Sequence, residues 1–134
     1  MNKLYIDSNI FLNSILYEDE KAKKCKEIIS NIIDKKIIAI TSVLTWDELV
    51  YVVTKNLGRE ISLSEGEKFL IFPNLTFIDT TKNIIVKAQK LIKFYNIKPR
   101  DALHAATALL QGSNEIISDD IDFDKIKEIK RLKP

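Results

Sequence analysis

Asp7, Glu48, Asp101, Asp120 and Asp122 are the residues whose types and places could do chemistry in this chain. Asp7 ends the apolar run Leu4-Tyr5-Ile6, and Asp120 and Asp122 follow Glu115-Ile116-Ile117-Ser118. Asp101 comes directly after Pro99-Arg100, where a helix rich in small apolar residues begins. Glu48 lies inside a helical pattern that reads as apolar nearly all round, and a carboxylate there is costly unless something pairs with it. Several carboxylates brought together repel one another and must be neutralised by protons or hard cations. An all-oxygen set of this kind suits Mg²⁺ or Mn²⁺.

Each acid also has an ordinary reading. Asp7 reads equally as a loop residue or helix N-cap. Thr45-Trp46-Asp47-Glu48 spells a capping box with Glu48 at its third helical position, although Thr41 or Ser42 is the better cap for a helix that already includes Val43 and Leu44. Any acid is welcome where Asp101 stands, at the positive end of a helix. Asp122 is placed to cap a turn beginning at Phe123, the reading its spacing favours, whereas Asp120 has no such local role.

The elements that must position these side chains alternate along the chain. Apolar runs predict strands at Leu4–Ile6, Ile37–Ile40, Leu75–Ile78 and Glu115–Ser118, with a short last strand near Arg131-Leu132. Between them, 3.6-residue periodicity predicts helices. One begins just after Asp7, with Ser8 and Asn9 as capping side chains, and one follows Glu18-Asp19-Glu20. Others start at Thr41-Ser42, at the capping box Ser62-Leu63-Ser64-Glu65, after Asp79–Thr81 and at Arg100. Strands alternating with helices imply a parallel sheet covered on both faces, and one α/β domain over residues 1–134. In such sheets the ligand crevice lies beyond the carboxyl ends of the strands, where Asp7 would sit.

Composition narrows the field. Of the 134 residues, 46% are hydrophobic and 30% charged, which describes a globular chain and not a disordered one. A net charge of +2 is too small to argue nucleic-acid binding by itself. Cys25 is alone and spaced as a core residue, so no disulfide framework exists. Without a signal-peptide pattern or an apolar run of membrane-spanning length, a cytoplasmic protein is expected. With His104 as the one histidine, a metal-free ribonuclease built on paired histidines is excluded. His104 itself reads as a packed or hydrogen-bonded helix residue. The three glycines, Gly58, Gly66 and Gly112, lie far from the first strand, so the chain has no dinucleotide or P-loop motif. An aspartyl-phosphate phosphohydrolase would want an acid where Asn9 stands.

Four short motifs occur in order: Tyr5-Ile6-Asp7-Ser8-Asn9, Trp46-Asp47-Glu48-Leu49, Arg100-Asp101-Ala102-Leu103-His104-Ala105-Ala106-Thr107-Ala108 and Ser118-Asp119-Asp120-Ile121-Asp122-Phe123. Together they resemble the acidic motifs of PIN domains, most of all those of the VapC-type toxin ribonucleases, and the resemblance spans essentially the whole chain. It implies a three-layer α/β/α sandwich with a mainly parallel sheet of four to five strands. It also implies a Mg²⁺- or Mn²⁺-dependent endoribonuclease in which Asp7, Glu48, Asp101 and Asp120 form the acidic quartet. Asp122 would be a further ligand or an orienting residue, and Ser8, Asn9 and Ser118 would hold the carboxylates. Asp119 departs from the family pattern and leaves open which of the three clustered acids touches metal. Lys98 and Arg100 are candidate phosphate contacts or ordinary surface charge. The implied partners are RNA, a small antitoxin protein and a second copy of the chain. The rival readings are a housekeeping RNA-processing nuclease and a non-catalytic RNA- or protein-binding module.

Overall fold

The computed structural model describes residues 2–134. Five parallel strands form one sheet in the order β3-β2-β1-β4-β5: β1 (Lys3–Ile6), β2 (Ile38–Ser42), β3 (Leu75–Ile78), β4 (Glu115–Ile117) and β5 (Lys130–Leu132). The helices are α1 (Ser8–Leu16), α2 (Glu20–Ile33), α3 (Leu44–Leu57), α4 (Arg59–Leu70), α5 (Lys82–Tyr95) and α6 (Pro99–Leu110), followed by a 3-10 helix at Ile121–Lys125. This is the three-layer sandwich expected from alternating strand and helix patterns. Among the described residues no helix is long and apolar enough to cross a membrane.

Alternation along β1 divides the core. Tyr5 joins a cluster with Ile40, Leu91, Ala105, Ile116 and Phe123, against α5 and α6. Ile6 points the other way, into a cluster with Ile10, Phe11, Cys25, Leu49 and Phe69 from α1 to α4. Period-two alternation in a strand covered on both faces produces this division. Cys25 is buried in that second cluster as its helical spacing predicted. Ala102, Ala105, Ala106 and Ala108 are all fully buried, so α6 can lie close to the sheet.

Topology places the crevice. From β1 the chain crosses towards β2, and from β4 it crosses the opposite way to β5, so the space between the carboxyl ends of β1 and β4 is a topological switch point. Asp7 extends β1 by donating its backbone N–H to the Ile117 carbonyl at 3.1 Å.

Several local boundaries differ from the sequence reading. Asp7 itself caps α1, accepting the Ser8 N–H, so Ser8 and Asn9 lie inside the helix and are not its caps. β2 runs two residues further than expected, and α3 begins at Leu44, with Ser42 Oγ accepting the Leu44 N–H. α4 starts at Arg59 instead of at Ser62. Gly58, at φ +88°, adopts a left-handed turn that ends α3 and begins α4 without a linker. The Ser62 hydroxyl is thereby used between helices, accepting from Thr54 Oγ1 at 2.6 Å. α3 is not buried all round either, since Trp46 and Tyr51 are exposed while Leu49 and Val53 are core.

Candidate active site

Five acids reach the switch-point crevice from four elements. Asp7 leaves β1, Glu48 lies on α3, Asp101 occupies the first turn of α6, and Asp120 and Asp122 follow β4. They form two groups, Asp7 with Glu48 and His104, and Asp101 with Asp120 and Asp122. Within each group one ligand atom per residue lies within 4.8 Å of the others.

Asp7 is held on both oxygens. Oδ1 accepts the Ser8 backbone N–H at 2.7 Å, while Oδ2 accepts the Ser118 hydroxyl at 2.6 Å and the Asn9 amide at 3.0 Å. Ser118 is the hub of this framework. Its Oγ also accepts from Asn9 Nδ2 at 3.1 Å and from the Asp120 backbone N–H at 2.9 Å, tying the ends of β1 and β4 together. Burial pushes the Asp7 carboxyl upward in pKa; His104 and the Ser118 hydrogen bond pull it down, and Glu48 adds to the rise.

Asp101 is the exposed nerve of the cluster. Its Oδ2 is buried without a hydrogen-bond partner among the described residues, and Lys98, at the helix N-cap, makes no side-chain capping bond. Burial, followed by the neighbouring charges of Asp120 and Asp7, pushes the Asp101 carboxyl up to about 6. Buried polar groups are ordinarily paired, so an orphaned carboxylate oxygen facing other carboxylates suits a cation. The donors are predominantly oxygens, as hard divalent ions require, and the residues present fit such an ion.

The structure also separates residues that sequence left grouped. Asp119 turns outward and pairs with Lys21 at 2.7 Å on the surface. Asp120, and not Asp122, caps the 3-10 helix, accepting the Asp122 N–H at 2.9 Å. The cap assignment made from spacing therefore moves two residues back, because the helix starts at Ile121 and not at Phe123. Asp122 lies 3.2 Å from Lys125 Nζ. Lys98 and Arg100 are exposed beside the start of α6, with Arg100 Nη2 3.6 Å from Asp47. The apolar groove bounded by Phe11, Ile29, Phe69 and Phe72 contains none of the clustered acids.

Glu48 is no capping residue. Thr45 lies within α3 and bonds Thr41 through its hydroxyl at 2.7 Å, whereas Glu48 Oε1 meets His104 Nε2 at 2.5 Å. The partner its burial demanded is therefore the one histidine, which is 1% exposed. Tyr5 completes the contact, its hydroxyl 2.5 Å from His104 Nδ1. Burial of the ring disfavours its charged form, but the Tyr5 oxygen, the Glu48 hydrogen bond and the Asp7 carboxylate outweigh it and push the His104 ring well up in pKa. Sequence reasoning passed over Tyr5. The available signal was a tyrosine in an apolar strand, since a buried hydroxyl needs a partner.

Known proteins share this fold. Ribonuclease VapC2 of Methanocaldococcus jannaschii is 28% identical over 137 residues, covering 93% of this chain and 89% of the relative. VapC20 of Mycobacterium tuberculosis, a toxin that cleaves the sarcin-ricin loop, superposes with a TM-score of 0.81 at 13% identity, over 98% of this chain and 99% of the other. The Rickettsia felis VapBC2 structure, bound to a DNA fragment from its promoter, gives a TM-score of 0.74 at 20% identity, over 98% of each chain. The PIN domain model matches residues 4–129, nearly the whole of the sheet and all of the clustered acids, and the chain belongs to the PIN domain family.

Proposed function

We propose that this protein is a divalent-metal-dependent endoribonuclease and the toxin of a toxin–antitoxin pair. The observation that carries the reading is the convergence of five carboxylates on the switch-point crevice, with Asp101 Oδ2 buried and unpaired. The similarity to VapC ribonucleases, and to structures of toxin–antitoxin complexes, supports the choice of RNA as substrate and of a small antitoxin protein as partner. A homodimer is the expected assembly.

Asp7, Asp101, Asp120 and Glu48 would hold the ion, with Asp122 beside them. A bound Mg²⁺ or Mn²⁺ supplies a water that is nucleophilic at neutral pH and Lewis-acid stabilisation of charge on the scissile phosphate. Ser8, Asn9 and Ser118 fix the Asp7 carboxylate before substrate arrives, so little reorganisation is left for the reaction. One of the carboxylates orients the attacking water or accepts its proton. Lys98 and Arg100, exposed at the start of α6, take phosphates outside the crevice. A water nucleophile makes no use of the ribose 2′-hydroxyl, so the cut leaves a 5′-phosphate and a 3′-hydroxyl.

The test is incubation with total cellular RNA in Mg²⁺ or in EDTA, with mapping of the new ends. Discrete cuts bearing 5′-phosphates in Mg²⁺ alone are expected, and cuts that persist in EDTA or end in 2′,3′-cyclic phosphate would refute the mechanism. In the same assay Asp120→Ala should lose most cleavage and Asp119→Ala almost none, with Asp122→Ala between them. Asp119 is the harmless position because it is turned outward into an ion pair with a surface lysine, and such pairs contribute about 0–1 kcal/mol.

A further inference from the structure

Glu48 lies in the second turn of α3, which has no side-chain cap bond, so no helix end holds its carboxylate. What holds it reaches across the fold. The Ser42 backbone N–H lies 3.1 Å from Tyr5 Oη, Tyr5 Oη lies 2.5 Å from His104 Nδ1, and His104 Nε2 lies 2.5 Å from Glu48 Oε1. These groups come from the end of β2, from β1, from α6 and from α3, and Tyr5 and His104 are buried.

We propose that Tyr5 and a neutral, Nε2-protonated His104 form a one-way hydrogen-bond chain that positions the Glu48 carboxylate in the crevice. The direction follows from which atoms can donate. A backbone N–H only donates, so Tyr5 Oη accepts from Ser42. The tyrosine proton is then free to go to His104 Nδ1, the ring nitrogen beside it. With Nδ1 accepting, the ring proton sits on Nε2 and is donated to Glu48. Asp7 Oδ1, at 3.9 Å from Nε2, is too distant to compete for it. Every buried donor and acceptor in the chain is thereby used once.

Despite burial, the Tyr5 oxygen and the Glu48 and Asp7 carboxylates push the ring's pKa well up, which by itself would place a second proton on it. Donor counting decides against that form. A proton on Nδ1 would make both ring nitrogens donors and leave the tyrosine proton without an acceptor among the described residues. His104 is therefore a positioning residue. It acts through Glu48 and leaves the second carboxylate oxygen of Glu48 for the ion.

The inference rests on the reading of Glu48 as part of a metal-holding site, and two measurements separate the two. The first is the ¹⁵N spectrum of the imidazole at neutral pH, metal-free and with Mg²⁺. With one histidine in the chain, the signal needs no further assignment. One pyrrole-like Nε2 and one pyridine-like Nδ1 are expected. Two pyrrole-like nitrogens, or a proton on Nδ1 alone, would overturn the chain whatever the protein's activity. The second is Mn²⁺ affinity measured by calorimetry. Removal of residues that orient a ligand typically weakens metal binding 10–100-fold. His104→Leu should show about such a loss, and His104→Gln, whose amide can accept at oxygen and donate at nitrogen but cannot titrate, should stay within about 3-fold of wild type. Gln as weak as Leu, or Leu as tight as wild type, would refute positioning. Should His104→Leu fail to fold, the spectrum and the His104→Gln affinity still decide. Wild-type protein that binds no Mn²⁺ would defeat the metal-site reading, while the spectrum would still judge the hydrogen-bond chain.

Discussion

Asp101→Asn should abolish RNA cleavage and, without metal, make the protein more stable. The two effects have one cause. Asp101 contributes a charged oxygen to a place where Asp120, Asp7 and Asp122 already contribute theirs, and its Oδ2 has no hydrogen bond to offset burial. Its carboxyl, ordinarily at 3.8, is pushed up to about 6. The native state therefore holds more protons than the unfolded chain between those two values. Stability falls as pH rises through that window and stays reduced above it. Asn removes the slope, and its amide can donate to a neighbouring carboxylate. The gain at pH 7 should be on the order of 1–2 kcal/mol, below the full linkage value because the half-exposed crevice is screened by water. At pH 4 wild type and variant should be nearly equal. Cleavage in Mg²⁺ should fall by at least about 100-fold, as for loss of a preorganised electrostatic group. The measurements are thermal unfolding from pH 4 to 8 in EDTA and cleavage rate in Mg²⁺. An active variant, or one less stable at pH 7, would show that Asp101 is an ordinary acid at a helix start.

Ser118→Ala should do the opposite to stability. The Ser118 hydroxyl is fully buried, donates to Asp7 Oδ2 and accepts from Asn9 and from the Asp120 N–H. Its removal leaves two donors without their acceptor and takes one hydrogen bond from a buried carboxylate. Each buried polar group left unsatisfied costs about 1–3 kcal/mol, and unfolding in urea should show a loss of that order. Cleavage should fall about 10–100-fold, because Asp7 and the Asp120 turn are no longer fixed to each other. An alanine variant with wild-type stability would mean that water replaces the hydroxyl and that the framework does not depend on Ser118.

Much of this was readable in the sequence, and the part that was not has a physical explanation. The strand ends were clear because an apolar run that stops at Asp7 or Ser118 marks both the buried strand and the polar position where it ends. The sheet's two-faced burial followed from the same runs. Helix starts were harder. Asp120 and Asp122 both satisfy the local pattern for a cap, and only the position of the 3-10 helix decides between them. Ser62 looks like a cap by spacing, yet the left-handed turn at Gly58 lets α4 begin earlier and turns that hydroxyl towards Thr54. The link from Tyr5 to Glu48 through His104 joins residues 99 and 56 positions apart, a relation no local pattern can carry. The partner of Glu48 was foreseeable only as a need, and the fold supplied the histidine.

Thermal unfolding of wild type and Asp101→Asn at pH 7, in EDTA and then in a millimolar series of Mg²⁺ or Mn²⁺, tests most directly whether the converging carboxylates form a cation site. An ion that binds the native state alone raises stability with concentration, by about 2.7 kcal/mol at a hundred times its dissociation constant. Wild type should start lower than the variant, rise steadily with metal and overtake it, while the variant stays nearly flat. Parallel curves for the two proteins, or a wild type indifferent to both ions, would contradict a metal site at these acids.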